Sequence, residues 1–406
     1  MTIHYFFSDN ITSDNEGRHI KQSARLIKFL AKSDTPVSIP AVADHMKQSV
    51  PTVTKIMNEL IQKELVIEEG KKKNDNGRNP SVFTLRKDKF YAVGVEVLFK
   101  RIQVNIINID LKSEFAMEDA NFELENTEAC RDKVVKFINE AIDQSGIQRK
   151  YIVGIGIGLT GRVNSQSGKS YNFFGFTEEP FAEYLSGIFE IPVHIENDTR
   201  VVGLVELVIG KVKNVSNTLI VNISRGIGMS IVANKKIVIG SSGFAGEFGH
   251  MQFVGNEGKL CICGKKGCLE TEVSGKALES SLIELLKKGE DSLHFKLKDA
   301  DHIRYDNIIA AANDGDLLPI SLLQAQGEKL GAALGNIINL LNPEMIVIGG
   351  KYSKVGSFFL NSVRSGLYKT GLKDPLANCQ ITNSDLMLSS GTIGAAALVY
   401  RKFDLI

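Results

Sequence analysis

Cys261-Ile262-Cys263-Gly264-Lys265-Lys266-Gly267-Cys268-Leu269-Glu270, with His250 eleven residues before Cys261, is the stretch on which the reading of this chain turns. Three thiolates and one imidazole make a tetrahedral donor set for Zn2+. Gly264 and Gly267 let the backbone fold tightly enough for three nearby cysteines to converge on one ion. With all four positions filled by protein, the metal would be structural, with none left for water. The alternative is three buried thiols beside a core histidine. The other two cysteines, Cys130 and Cys379, are isolated, and an odd, clustered set of five is a poor disulfide framework.

Polar residues gather on either side of this stretch. Glu247 comes three residues before His250 in the glycine-rich turn Ala245-Gly246-Glu247-Phe248-Gly249-His250, and Glu270 follows the last cysteine. Glu196-Asn197-Asp198 closes a strand and opens a helix. Carboxylates and an amide converging on one cleft suit a ligand with several hydroxyls, because each group pairs with neighbouring hydroxyls. The alternative is that Asp198 is simply a helix cap and Glu247 a surface acid. From Tyr91 onward the pattern is α/β. Strands are expected over 91–98, 102–110, 151–158, 191–195, 218–223, 227–232 and 345–348, and helices over 129–144, from 198, over 317–341 and over 391–400. Two glycine-marked halves suggest a large-scale duplication. Gly331, Ala332, Ala333 and Gly335 let the helix 317–341 approach another closely, as a contact between copies or within the core.

The first ninety residues differ in composition. They hold 15 Lys/Arg and 11 Asp/Glu, a balance of +4, against 33 and 36 in the remaining 316, so the formal net charge of +1 hides an asymmetry. Residues 18–86 read as three helices and a hairpin. Ile20, Ala24, Ile27 and Leu30 repeat at helical spacing, and 39–46 is a short helix with Pro40 in its first turn. Ser49 caps a third helix whose apolar stripe is Val50, Val53, Ile56, Met57 and Leu60. Thr52, Lys55 and Asn58 lie opposite, with Thr54 on a flank. Strands 65–68 and 81–85 flank a basic tip with Lys71, Lys72, Lys73 and Arg78. This is the plan of a winged helix-turn-helix, in which a polar helix face enters the major groove and the tip neutralises phosphates. The alternative is a small helical protein-interaction module with a solvated charge run. No apolar run approaches the ~20 residues of a membrane helix, and the first ten residues lack a signal-peptide pattern, so a cytoplasmic protein without membrane insertion is expected.

From about Arg18 to Leu398 the chain resembles the ROK family of repressors, uncharacterised reading frames and sugar kinases. The resemblance rests on His250 with the cysteine segment, Glu196-Asn197-Asp198 and Glu247-Phe248-Gly249-His250. It extends to Gly156-Ile157-Gly158-Leu159-Thr160-Gly161 with Asn172, to 342–350, and to the Gly394-Ala395-Ala396 end helix. It implies an actin-like, two-lobed sugar-kinase fold with sugar between the lobes and the zinc site beside it, His250 touching both. The implied sugar ligands are Asn197, Asp198, Glu247, His250 and Glu270, with Gly161 and Asn172 as further candidates. The zinc ligands are His250, Cys261, Cys263 and Cys268. ROK kinases carry an acidic residue followed by a Gly-Gly-Thr turn that approaches ATP phosphates. Here the aligned stretch is Gly94-Val95-Glu96-Val97-Leu98-Phe99-Lys100, whose bulky side chains leave little room for backbone amides to wrap a phosphate. Asp198, at the kinase-base position, is retained. The head matches the repressor branch, which includes the N-acetylglucosamine, glucose and xylose regulators, with one glycine before Arg78 where two are common.

The expected architecture is therefore a winged helix-turn-helix at 1–88 and a ROK domain at 89–406. The small lobe would be 89–196 with 388–406, and the large lobe 197–387. The expected function is a non-enzymatic, sugar-responsive transcriptional regulator, a repressor of carbohydrate uptake or catabolism genes modulated by a sugar or sugar phosphate. Ser49, Thr52, Thr54, Lys55, Asn58, Lys71, Lys72, Lys73 and Arg78 would contact operator DNA, and the assembly would be a homodimer or homotetramer. The rivals are an ATP-dependent sugar kinase with an appended DNA-binding head and a regulator sequestered by a transporter protein.

Overall fold

The computed structural model describes residues 2–8, 12, 14–71, 80–176, 178–386 and 390–406 of the chain. It divides into two compact units, Met1–Val201 with Gly391–Ile406, and Val202–Ser390. Among the described residues no helix is long and apolar enough to cross a membrane.

The first unit opens on a short helical turn, Ile3–Phe7, anchored by the buried Ile3 and Phe6, to which no expectation attached because five residues show no period. Helices α1 (Asn15–Ala31), α2 (Ile39–Met46) and α3 (Val50–Gln62) follow. Each boundary has a local cause. Asp14 accepts the Gly17 amide at the start of α1, Lys47 ends α2 in the left-handed region at φ 53°, and Ser49 caps α3. Strands β1 (Val37–Ser38), β2 (Val66–Lys71) and β3 (Ser81–Leu85) form a sheet in the order β1-β3-β2. The expected hairpin thus gains a third strand, too short to show an alternation. Val53, Ile56, Met57 and Leu60 of α3 are buried as their spacing predicts. Val50 is not: it stands at the edge of the stripe in the first turn and is 47% exposed.

The same unit continues with β4 (Tyr91–Leu98), β5 (Arg101–Asn108), β6 (Ser113–Asp119), α4 (Glu128–Gln144), β7 (Ile152–Leu159), β8 (Val163–Asn164), β9 (Lys169–Ser170), α5 (Phe181–Phe189) and β10 (Val193–Asn197). Its main sheet has the order β10-β7-β4-β5-β6. β4 pairs parallel with β7 and antiparallel with β5, and β7 pairs parallel with β10. The chain's last helix, Ser390–Lys402, lies directly on β4 and β7. A Cβ at Gly94 or Gly156 would stand 1.9 Å from the carbonyl of Thr392 or Ala395, so only glycine admits this approach. Head and sheet share one core, in which Ile3, Phe6, Leu65 and Phe83 pack with Phe90, Ile107, Tyr400 and Leu405.

The second unit takes up α6 (Asp198–Val208) from Val202 onward. It contains β11 (Thr218–Ile223), β12 (Ile227–Ala233), β13 (Lys236–Ile237), α7 (Gly275–Lys287), α8 (Tyr305–Asn313), α9 (Leu317–Leu341), β14 (Met345–Gly350), α10 (Ser357–Leu367), α11 (Lys373–Ala377) and β15 (Gln380–Asn383). Its sheet order, β15-β14-β11-β12-β13, repeats the first sheet's pairings: two parallel pairs on one side of the first strand, two antiparallel on the other. This is the duplication that the glycine-marked halves suggest. The small residues of α9 face α10 of the same chain. A Cβ at Gly331 would lie 2.0 Å from the Val363 carbonyl, and one at Gly366 2.1 Å from that of Glu328. Of the two uses open to the Gly-Ala stripe, the core is the one realised.

Candidate functional site

The cysteine segment folds back on itself through short backbone bonds. Cys261 N–H donates to the Lys265 carbonyl at 2.8 Å, and Gly264 N–H to the Cys261 carbonyl at 3.0 Å. Gly264 and Gly267 have φ of 86° and 72°, and a Cβ at Gly267 would sit 1.9 Å from the Val254 carbonyl. The fold brings His250, Cys261, Cys263 and Cys268 together with one donor atom each, all within 4.8 Å of one another. The Cys263 and Cys268 sulfurs are 3.6 Å apart, and Cys261 Sγ is 3.5 Å from His250 Nδ1. A disulfide would need about 2.05 Å, whereas a tetrahedron with Zn–S bonds of about 2.3 Å has edges of about 3.8 Å. The set therefore fits a four-coordinate metal. Burial, then the adjoining thiols, pushes Cys268 up to about 12, the electrostatic opposition that a bound cation removes.

Two carboxylates adjoin this cluster. His250 turns Nδ1 toward Cys261 and Nε2 toward Glu247, whose Oε2 is 3.9 Å away. A carboxylate at the far nitrogen of a ligating imidazole fixes ring orientation. Glu270 accepts the Ile227 amide at 3.4 Å, and a Cβ at Gly226 would come within 2.7 Å of its Oε2. The backbone thus holds the Glu270 carboxylate, and Glu247 stands at the far nitrogen of the imidazole.

In the first unit Asn197 and Asp198 sit where β10 becomes α6. Asn197 donates to the Gly161 carbonyl at 2.9 Å and to Asp198 at 3.0 Å, while its own carbonyl accepts the amides of Thr199 and Arg200. Beneath them is a buried pair not anticipated from the sequence. Arg200 Nε donates to Glu196 at 2.6 Å and Nη2 to the Val163 carbonyl at 2.7 Å. Glu196 lies in β10 and Arg200 in the first turn of α6, so their four-residue spacing, which pairs side chains within a helix, gave no signal of it. Asn172 accepts the Arg162 amide at 2.8 Å, closing the turn at Gly161. The cap of α6 is therefore Asn197, and Asp198, expected as a possible cap, is instead the first helical residue, with its carboxylate accepting the Thr199 amide at 2.7 Å within this polar set.

Glu96, aligned with the kinases' acidic residue, is buried beside Asp198 and pairs with Arg101 at 2.7 Å. Burial first, opposed by Arg101 and reinforced by the Asp198 charge, raises its carboxyl to about 7. Its other oxygen is pressed against Gly391, where a Cβ would lie 1.9 Å away. The hairpin turn between β4 and β5 is Phe99-Lys100, and Phe99 packs edge-on against Phe173.

Ser49, Thr52, Thr54, Lys55 and Asn58 all lie on α3 or at its cap, with Ser49, Lys55 and Asn58 exposed. His19 of α1 braces the helix through Glu59 at 2.5 Å. Lys71 ends β2; Lys72, Lys73 and Arg78 lie outside the described residues.

Known proteins match this arrangement along its length. The chain is 29% identical over 351 residues to the xylose repressor of Caldicellulosiruptor bescii, covering 86% of this chain and 88% of that protein. It is 30% identical over 369 residues to the DNA-binding transcriptional dual regulator NagC of Escherichia coli, covering 90% and 89%. The crystal structure of a ROK family transcriptional regulator, a homologue of the E. coli Mlc protein, aligns with a TM-score of 0.77 at 26% identity, covering 95% of this chain and 98% of that one. The fold is the α/β sugar-kinase-like ROK fold, preceded by a winged head, and residues 95–402 match the family's description directly. The chain belongs to the ROK family.

Proposed function

We propose that this protein is a sugar-responsive transcriptional repressor that binds operator DNA through the winged head at residues 1–88. The observation carrying the reading is the core that the head shares with the sheet bearing Asn197 and Asp198. Residues suited to hydroxyls and a helix suited to the major groove belong to one packed body. In this reading Asn197, Asp198, Glu247, His250 and Glu270 are sugar ligands, and α3 with the wing at Lys71–Lys73 and Arg78 meets DNA. His250, Cys261, Cys263 and Cys268 hold a structural zinc, which when bound neutralises the thiolates and fixes His250 beside Glu247. The protein is cytoplasmic and works as a homodimer or homotetramer, whose paired heads read paired half-sites. The effector acts by favouring one of two arrangements of the chain that differ in DNA affinity.

Glu96 and its turn support sensing over phosphoryl transfer. Its carboxylate is tied to Arg101 and pressed on Gly391, and Phe99 and Lys100 occupy the turn where kinases bring glycines to phosphate. The retained Asp198 favours the rival kinase. One experiment decides: DNA affinity of the full chain is measured with and without xylose, glucose, N-acetylglucosamine and their phosphates, beside ATP turnover on the same panel. A change of tenfold or more in DNA affinity with no turnover is expected. Turnover abolished by Asp198→Asn would establish the kinase, and DNA binding indifferent to every sugar would remove the sensor.

A further inference from the structure

The outward face of α3 is less polar than its sequence suggests. Thr54 Oγ1 donates to the Val50 carbonyl at 2.8 Å, and the Ser49 and Thr52 hydroxyls bond each other at 2.8 Å. Two of these three hydroxyl protons are thus used within the helix and its cap, the Ser49–Thr52 pair keeping one free. Val50 stands among them 47% exposed, while Val53, Ile56 and Met57 are fully buried. Val50, Thr54 and Asn58 follow at four-residue spacing, so they share one side of the helix, beside the exposed Lys55. The first turn therefore presents an exposed valine to whatever the helix meets, and the next turns present an ammonium and an amide.

In a helix-turn-helix the first residues of the recognition helix contact base edges. The apolar feature of the major groove is the thymine C5-methyl, while guanine and adenine offer acceptors suited to lysine and asparagine. We propose that Val50 reads a thymine methyl group in the operator, making it a specificity residue beside Lys55 and Asn58. This rests on the reading of the head as DNA-binding.

The test uses the full chain and a duplex it selects from a randomised pool. Each thymine of that duplex is replaced in turn by deoxyuridine, which lacks only the methyl. At one thymine per half-site the replacement should weaken wild-type binding about three- to fivefold, the effect of one buried methyl. Val50→Ala should lose the same factor on the parent duplex and be indifferent to that replacement. An unchanged melting temperature for Val50→Ala shows that its fold is intact. Full methyl dependence persisting in Val50→Ala, or a wild-type chain indifferent to every replacement, overturns the assignment while leaving DNA binding in place. A chain that selects no duplex removes the DNA-binding reading instead.

Discussion

Glu96 is a carboxylate in surroundings that oppose its charge: buried, near Asp198 and Glu118, with Arg101 in its favour. Its folded-state value of about 7 lies above the ordinary 4.5. Between those values the folded chain therefore holds a proton that the unfolded chain lacks. The stability this contributes is present below about pH 4.5 and lost as pH rises through 7, on the order of 3 kcal/mol in all. Glu96→Gln should flatten that decline, seen as a smaller drop in denaturant midpoint from pH 5 to pH 8; an equal drop would place the titration elsewhere. At the His250–cysteine cluster, elemental analysis should find about one zinc per protomer, and Cys268→Ser should abolish it and lower the melting temperature. A protein purified without chelators that carries no zinc would remove the site. The two cases differ in legibility. The convergence of His250, Cys261, Cys263 and Cys268 could be read because they are crowded in sequence and their chemistry is distinctive. The Glu96–Arg101 pair could not, since it depends on the hairpin register that sets Leu98 opposite Arg101.

Among the elements, α3 and α9 show what periodicity reveals and omits. The apolar repeat locates α3 and its buried face, but not the fate of Val50, which depends on what covers the first turn. Lys55→Ala and Asn58→Ala should each weaken or relax operator binding by about 1–3 kcal/mol; unchanged affinity would mean that another element reads the bases. Neutralising Lys71, Lys72 and Lys73 should flatten the dependence of log affinity on log salt by about one unit for each phosphate left without its cation. An unchanged slope would make that run a solvated loop. For α9 the sequence supplies length and small residues but not the partner. With the Val363 carbonyl 2.0 Å from a Gly331 Cβ, Gly331→Ala should destabilise the second unit by about 1–3 kcal/mol, read by chemical denaturation. An unaffected variant would show that α10 yields easily.

On the scale of the whole molecule, the duplicated sheet plan was foreshadowed by glycines. The joining of head and sheet was not, because the residues that join them are far apart in sequence. Phe7 stacks on Phe403 at 5.4 Å, Lys32 pairs with Asp404, and the Tyr400 hydroxyl reaches the carbonyls of Phe90 and Ile107 at 3.0 and 2.8 Å. Such a core should open as one. Phe6→Ala, expected to cost about 3–5 kcal/mol, should lower hydrogen-exchange protection in both α3 and the last helix; losses confined to the first ten residues would show two independent bodies. The shared core also sets a schedule. Tyr400 lies 310 positions after Phe90, so at about 5–20 residues per second a ribosome that has finished the head needs roughly 15–60 s more to deliver it. During that interval the nascent head lacks its last wall. A truncated message then yields a chain that contains every residue proposed to meet DNA but lacks the last wall of the core behind them.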